Sequence, residues 1–413
     1  MLLRAHDESR SGQPQVRRTW GWDPRPQGVL SLWGGPSRTS AMGTLEPLAS
    51  RYDLGVRKTR SDSVPGWEPF DFFLLTFPVI EYRFAMAQFT IPARNETKEM
   101  RYQMGYALAD LANEYPNVVA VDADLRSSSG LHIFEHFHPD KLVKVGIAEQ
   151  NMISVSAGLS QEGFIPFPCT FDAFCRRFLD QLYISVAYSR TNVKVLGAYV
   201  GLFTGKAGAT HQSDKELGVL LRMPNLRVIE PGFNEEMRQA LRVAVETPGP
   251  FYLRIVRCEV EDNEAGPGYQ FRLGQGTTVI DEGRDIGLVS TGYMIRTAKR
   301  AAQKLRDRGV GVRLDHHPSL KPFDDGLLYD MASKVKAIVT LENHCTSGGL
   351  FSLVAEAFAR RGVPVPVGAI GTDPEDFIHT GHVNDLLAHY RMTSDDVVEK
   401  AMGLLAGKGG RME

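Results

Sequence analysis

From about residue 95 onward, short apolar runs alternate with segments whose apolar residues have helical spacing. Helical spacing is clearest at Met100, Met104, Leu108 and Leu111. The next apolar run, 118–121, is short and β-branched, which is typical of a buried strand. Because the same alternation continues to about residue 256, the pattern predicts βαβ units with a mostly parallel sheet.

Local patterns add detail to these units. Helices are predicted over 174–186 and 214–222, and Asn234 is expected to cap a third helix. Residues 261–268 are rich in Gly, Pro and acidic side chains, which indicates a linker. A second series of strands and helices follows, and Thr393 with Asp396 predicts a capping box for the last helix.

The fold class predicted is therefore α/β, with two consecutive units of mostly parallel sheet flanked by helices, over residues 91–262 and 269–408. Residues 1–90 do not share the pattern. They hold all four tryptophans and are rich in Arg, Pro, Gly and Ser. Their Pro and acid content argues against a transit peptide. We expect a disordered or non-native extension, with Met86 as a candidate start; a docking tail is the alternative.

The amino-acid composition is compatible with the predicted fold and adds few constraints on function. The 413 residues are 43% hydrophobic and 23% charged with a net charge of −2, so charge gives no reason to expect nucleic acid or a membrane surface as partner. Four cysteines without C-x-x-C spacing predict reduced core thiols in a cytoplasmic protein. No apolar run reaches the roughly 18 residues that a membrane helix needs.

Four polar clusters follow predicted strands, at 122–129, 149–151, 170–174 and 210–212. Ligands bind at the carboxyl edge of open α/β sheets, so the clusters together predict a site rather than separate helix caps. Taken alone, Glu149 would be a solvated glutamate favoured by a helix dipole. The chain has no dinucleotide or P-loop glycine pattern, no zinc-ligand spacing and no G-x-S-x-G.

In combination, the clusters resemble the C-terminal half of a transketolase, which comprises the pyrimidine-binding domain for thiamine diphosphate and the transketolase C-terminal domain. The resemblance covers about residues 95–400 and rests on the order and spacing of motifs that are weak singly. The motifs are Ala123-Asp124-Leu125 with Ser128, Gly146-Ile147-x-Glu149-Gln150-Asn151, Thr170-Phe171-x-x-Phe174, Gly208-x-Thr210-His211-Gln212, and Leu341-Glu342-x-His344-x-x-x-Gly348-Gly349.

The resemblance implies a catalytic role for Glu149. Its carboxyl group would hydrogen-bond N1′ of the aminopyrimidine and so favour the imino form, whose nitrogen removes the proton from C2 of the thiazolium ring. Core packing, strand-end capping and solvated helix charge are the alternatives for the other cofactor positions. Those positions are Asp124, Leu125, Phe171, Phe174 and Arg177.

The sequence matches the substrate-binding positions of the transketolase family less completely than the cofactor positions. Arg101, Ser128 and Arg257 match positions that hold a sugar phosphate, and scattered surface polarity is their alternative. His211 matches a histidine that contacts the hydroxyls of the donor sugar during catalysis. The family pattern has His-Asp-Ser at 199–201, where this chain has Tyr-Val-Gly, and an acid in place of Ala207. The donor sugar is therefore expected to differ from ordinary pentose and ketose phosphates.

The family's other cofactor half carries a Gly-Asp-Gly segment that binds Mg²⁺ and the diphosphate, and no Gly-Asp-Gly occurs in this chain. The resemblance therefore implies a separate N-terminal subunit that supplies this site, in a heterotetramer. The function predicted is ketol transfer between a ketose phosphate and an aldose phosphate. The alternatives are the β subunit of a 2-oxo acid dehydrogenase, an enzyme like deoxyxylulose-phosphate synthase, and a non-catalytic interaction or regulatory subunit.

Overall fold

The computed structural model describes residues 91–407. The predicted extension, 1–90, and the candidate start at Met86 lie outside the described residues. Helices long and apolar enough to cross a membrane are not found within this range.

Two sheets are built from the strands of the described range. The strands are β1 (Val118–Asp122), β2 (Leu142–Lys144), β3 (Ile165–Phe171), β4 (Lys194–Ala198), β5 (Arg227–Ile229), β6 (Phe251–Ile255), β7 (Thr277–Glu282), β8 (Ile286–Ser290), β9 (Val312–His316), β10 (Ser319–Lys321), β11 (Ala337–Cys345) and β12 (Val367–Thr372).

Helices cover these sheets. The α-helices are α1 (Met100–Glu114), α2 (Arg126–Ser129), α3 (Leu131–Phe137), α4 (Glu149–Gln161), α5 (Leu179–Gln181), α6 (Leu217–Leu220), α7 (Asn234–Glu246), α8 (Met294–Arg306), α9 (Asp325–Ala332), α10 (Leu350–Arg361), α11 (Val383–His389) and α12 (Ser394–Leu405). Short 3₁₀ segments lie at Pro139–Lys141, Asp172–Arg177 and Leu202–Ala207, and a π segment at Leu182–Tyr188.

The first sheet has the strand order β10-β5-β6-β4-β3-β1-β2, and all of its pairs are parallel except β10 with β5. Its strands β1, β3, β4 and β6 are buried along their whole length, which explains why they are continuous apolar runs rather than alternating ones. The second sheet has the order β12-β11-β8-β9-β7, with β7 as an antiparallel edge strand. The predicted fold class is confirmed.

The two units share a sheet, which the sequence analysis did not predict. Strand β10 belongs to the second half of the chain but pairs antiparallel with β5 of the first. Its Leu320 is buried in the core that also contains Leu217, Leu220 and Val228. The Lys321 ammonium donates to the Leu221 carbonyl at 2.9 Å. A strand of three residues with prolines on both sides has too little local pattern to be recognised.

Three local predictions were wrong. The helix predicted over 174–186 is divided into a 3₁₀ segment, α5 and a π segment, and that over 214–222 is only the single turn α6. Asn234 does not cap α7 but is its first residue, and its amide group donates to the Lys98 carbonyl at 3.1 Å. The capping box of Thr393 and Asp396 is confirmed.

Candidate active site

The carboxyl ends of neighbouring strands form one edge of the first sheet. There β1, β3, β4 and β6 end, while β2 leads through 145–148 into α4. The connections from β1 to β2 and from β2 to β3 place β2 and β3 on opposite sides of β1. Ligands bind in open α/β sheets at such a switch point, and the predicted polar clusters at 122–129, 149–151 and 170–174 surround it.

A buried carboxylate holds the turn after β1. Asp122 accepts hydrogen bonds from the backbone N–H of Asp124 at 3.1 Å and of Leu125 at 3.0 Å. Burial raises the pKa of Asp122, while these hydrogen bonds oppose the shift. The turn leaves Asp124 exposed with a φ of 67°, and Leu125 packs against the core. A positive φ is uncommon for residues other than glycine, although aspartate adopts it more readily than most.

Glu149 begins α4, and its side chain is only 5% exposed. Within residues 91–407 no hydrogen bond is donated to its carboxyl group, and its one ionic partner is the Arg177 guanidinium at 3.7 Å. Buried carboxyl groups ordinarily have hydrogen-bond partners inside the protein. This carboxyl group is therefore free to share a proton with a bound molecule.

Aromatic rings form a wall beside this carboxyl group. Phe171 lies 5.5 Å from Phe174 and 4.3 Å from Tyr199, with the planes of each pair tilted by about 30°. The His211 imidazole meets Phe174 edge-on at 5.3 Å. The Arg177 guanidinium lies 5.3 Å from the centre of the Phe174 ring, so this arginine connects the wall to the Glu149 carboxyl group.

His211 is oriented by its neighbour in the chain. The Thr210 hydroxyl lies 2.8 Å from Nδ1 of the imidazole, and the His211 carbonyl accepts a hydrogen bond from the Thr204 hydroxyl at 3.1 Å. No described residue bonds Nε2. The next residue, Gln212, is buried and donates to the carbonyls of Gly205 and His379, which fixes the backbone behind the imidazole.

The predicted phosphate contacts lie near one another, and the Arg101 guanidinium among them is engaged internally. Arg101 is buried and bonds Glu99, Tyr102, Tyr199 and the backbone carbonyl of Ser128. Arg257 follows β6, and its partly exposed guanidinium lies 4.7 Å from the centre of the Tyr199 ring. Ala207, the other departure from the family pattern, is exposed.

A buried ionic cluster beneath this edge was missed by the sequence analysis. The guanidinium of Arg254, in β6, donates to Asp172 at 2.6 Å and to Glu230 at 3.0 Å, and Tyr252 donates to Asp172 at 2.7 Å. All four side chains are buried. Burial raises the pKa of Glu230, while Arg254 lowers it. The arginine within the apolar run 251–256 was the available sign, because a charge there requires a buried partner.

The motif from Leu341 to Gly349 has a structural role. The Glu342 carboxylate is buried and accepts hydrogen bonds from the backbone N–H of Leu350 at 2.6 Å and of Phe351 at 2.9 Å, at the start of α10. His344 accepts a hydrogen bond from the Leu217 N–H at 3.2 Å. Since Leu217 begins α6, the motif ties the second sheet to the segment that follows His211.

The residues fit the aminopyrimidine half of thiamine diphosphate. A buried carboxyl group without an internal hydrogen bond and an adjacent wall of rings suit a flat, hydrogen-bonding heterocycle. Within the described residues, no group of three or more His, Cys, Asp and Glu side chains is close enough to hold a metal ion. The four cysteines are free thiols, three of them buried.

Two family models match the chain. The transketolase pyrimidine-binding domain matches residues 96–262, and the transketolase C-terminal domain matches residues 275–397. These two matches agree with the predicted family and with the order of the two sheets.

Individual relatives are similar over most of their own length. An apulose-4-phosphate transketolase subunit of Phocaeicola vulgatus is 33% identical over 296 residues, 71% of this chain and 94% of the relative. The 6-deoxy-6-sulfo-D-fructose transketolase subunit SqwH of a Clostridium species is 34% identical over 300 residues, 71% of this chain and 90% of the relative.

A solved structure described as a split gene transketolase, inactive beta4 tetramer, is 35% identical with a TM-score of 0.69, and the match covers 75% of this chain and 98% of that one. Two consecutive domain matches and relatives that are themselves separate subunits lead to one conclusion: the chain belongs to the transketolase family.

Proposed function

We propose that this chain is the C-terminal subunit of a two-subunit transketolase and that, with its partner, it moves a two-carbon ketol unit from a ketose to an aldose. The observation that supports this most strongly is the buried Glu149 carboxyl group, which has no internal hydrogen bond in the described part of the chain. Such a group is ready to hydrogen-bond an aminopyrimidine.

In this proposal, each side chain at the carboxyl edge of the first sheet has a defined role. Thiamine diphosphate, when bound, supplies the carbon nucleophile and the electron sink for cleaving the bond beside a sugar carbonyl. Glu149, which is only 5% exposed, would hydrogen-bond N1′ of the bound cofactor and share a proton with it. Phe171 and Phe174 would hold the pyrimidine ring by packing against it. Arg177 keeps the Glu149 carboxyl group oriented toward the ring wall.

His211 is the second catalytic residue that we propose. Thr210 engages Nδ1, which leaves Nε2 to contact a hydroxyl group of the donor sugar. Asp124 and Leu125, held by Asp122, follow the end of β1, which lies between β2 and β3 at the switch point. These positions come from the resemblance, and their common location at one sheet edge supports them.

The partner subunit is expected to bring the Gly-Asp-Gly segment, which holds Mg²⁺ and the diphosphate with oxygen ligands. We expect a heterotetramer in the cytoplasm. Names of the relatives support an assembly of separate subunits, since two of them are themselves called transketolase subunits. Those two names refer to different sugars, apulose 4-phosphate and a sulfofructose, so relatives of this chain differ in substrate.

The test is Glu149→Gln in the complex with the N-terminal subunit. We expect ketol transfer to fall by about 10²–10⁴-fold, because an amide cannot share the carboxyl proton. Transfer is measured by coupled detection of the shortened donor sugar, with thiamine diphosphate and Mg²⁺ present. Glu162→Gln is the matched control, since this exposed glutamate lies at the other end of the same helix and should leave the rate unchanged.

Unchanged transfer in Glu149→Gln would contradict the role of this residue. Assembly of a complex that binds thiamine diphosphate but transfers no ketol unit from any donor would favour the non-catalytic alternative for this chain.

A further inference from the structure

The buried guanidinium of Arg101 has no free donor. Its Nε–H donates to one carboxylate oxygen of Glu99 at 2.6 Å, and one N–H of Nη2 donates to the other oxygen at 3.3 Å. The second N–H of Nη2 donates to the Tyr102 hydroxyl at 2.7 Å. The two Nη1 hydrogens are used by the Ser128 carbonyl and by the Tyr199 hydroxyl at 3.1 Å. All five donors of an arginine are therefore engaged inside the protein.

Glu99 occupies the place of an external anion. Its carboxylate faces Arg101 in a two-oxygen ion pair and also lies 3.8 Å from Nε of Arg257. The backbone holds it there, because Glu99 forms an isolated antiparallel bridge with Glu259 and the next N–H, of Met100, donates to the Cys258 carbonyl at 3.1 Å. A sugar phosphate would need the position between the two guanidinium groups, which this carboxylate fills.

Tyr199 closes the same space from the side. Its ring lies 4.3 Å from Phe171 and beneath the Arg257 guanidinium, and its hydroxyl donates to the Ser128 carbonyl at 3.0 Å. Burial raises the pKa of the Tyr199 phenol, so the hydroxyl remains a neutral donor. A tyrosine with a φ of 67° is strained, and a strained bulky residue is kept only where its surroundings hold it firmly.

We infer that Glu99 and Tyr199 determine specificity: the sugar reaches this end of the site with an uncharged, hydroxyl-bearing tail instead of a phosphate. The inference rests on the proposed function, since it assumes that a sugar extends from the ring wall toward Arg257. It gives a physical reason for the departure of residue 199 from the family pattern.

The chemistry of the two ligand types differs here. Sugar hydroxyls both donate and accept, so they can donate to Glu99 and accept from Arg257, whose guanidinium is partly exposed. A phosphate dianion only accepts, and it would face the Glu99 carboxylate as a like charge. The arginines therefore attract an external dianion far less than two unpaired guanidinium groups would.

The experiment compares two acceptors that differ only in the phosphate, D-glyceraldehyde and D-glyceraldehyde 3-phosphate, with 3-hydroxypyruvate as the ketol donor. The complex with the N-terminal subunit is used as wild type and as Glu99→Gln. We expect wild type to prefer the neutral acceptor in kcat/KM, and Glu99→Gln to shift the ratio toward the phosphate by about tenfold or more. Glu259→Gln, an exposed acid across the bridge from Glu99, should leave the ratio unchanged.

A second measurement needs no catalysis. Calorimetric titration of this chain with inorganic phosphate should show no saturable binding for wild type and a gain of binding for Glu99→Gln. Wild type that prefers the phosphorylated acceptor, or Glu99→Gln that changes neither the acceptor ratio nor phosphate binding, would overturn the inference. If no acceptor is converted by any variant, the proposed function fails, and the phosphate titration still decides on Glu99.

Discussion

Buried titratable side chains in this protein are held in different ways, and the differences separate a catalytic group from structural ones. Glu342 is fully buried and accepts two backbone hydrogen bonds at a helix start, and burial raises its pKa to about 8 although these bonds oppose the shift. Glu149 is nearly as buried but accepts none from the described residues. Satisfaction of the carboxyl group, rather than its burial, therefore distinguishes the proposed catalytic residue.

His317 provides a pH-dependent prediction. It is fully buried, stacks on Phe323 at 4.7 Å, and neither ring nitrogen has a hydrogen-bond partner in the described part of the chain. Burial lowers its pKa to about 3. Below a pH of about 6.5, His317 is protonated in the unfolded state but stays neutral in the folded state. The free energy of unfolding therefore falls as the pH decreases from about 6.5 toward 3.

We expect His317→Leu to reduce the loss of unfolding free energy below pH 6.5 by up to about 1.4 kcal/mol per pH unit. Urea unfolding between pH 8 and pH 5 measures this change, and pH 8 serves as the internal reference because His317 is neutral there in both states. Burial also lowers the pKa of His344 to about 3, so the unfolding free energy of the variant should still depend on pH in this range. An identical slope in wild type and variant would show that His317 does not titrate on unfolding.

Some site residues could be predicted from the sequence, and others could not. The common location of Glu149, Phe171 and Phe174 was predicted from polar clusters that follow strands, and their roles from the resemblance to transketolases; the structure places them at one edge. Glu99 was not predicted, because its position between two arginines depends on a backbone bridge to residue 259, far away in the chain. Ion pairs between distant segments leave no local pattern.

At the scale of elements, strands and long amphipathic helices were predictable, while short connecting helices were not. Helices α1 and α7 carry their apolar residues at helical spacing, and both lie where the pattern places them. Helix α6 keeps only one turn, in a segment where Ser213 bonds Asp172 and Glu216 and where His344 accepts the Leu217 N–H. Asp172 and His344, which lie outside this segment, thus help to hold it.

The start of α10 gives an element-scale prediction. A Cβ atom added at Gly349 would lie 2.0 Å from the Glu342 carboxylate and 2.7 Å from the His344 imidazole. We expect Gly349→Ala to lower the free energy of unfolding by about 1–3 kcal/mol, because the carboxylate must leave the helix start. Gly403→Ala in α12 is the control, where nothing lies within 4 Å and alanine should add about 0.5–1 kcal/mol.

Chemical denaturation of both glycine variants measures the two effects. Equal stability of Gly349→Ala and wild type would mean that Glu342 does not hold the start of α10.

At the scale of the whole chain, both halves contribute to the candidate active site. The first sheet carries Glu149 and the ring wall, while the second fixes the segment around His211 through His344 and the Gln212 contacts. Strand β10 joins the two halves within one sheet. Sequence reasoning predicted the class of fold and the family, but this joining strand depends on tertiary contacts that a short segment does not encode by itself.

We propose that the chain provides a carboxyl group and a ring wall for the aminopyrimidine and that a partner subunit holds the diphosphate and Mg²⁺. Ketol transfer should therefore depend on both subunits. The dependence is a property of the assembly, because the Glu149 carboxyl group has no role in transfer until the cofactor is held beside it.

The most direct test measures ketol transfer by the purified chain alone, by the purified N-terminal subunit alone, and by the two mixed at increasing ratios, with thiamine diphosphate and Mg²⁺ in excess. We predict no transfer by either subunit alone and a rate that rises with the partner until the subunits are saturated. Transfer by this chain alone at the rate of the mixture would contradict the two-subunit mechanism.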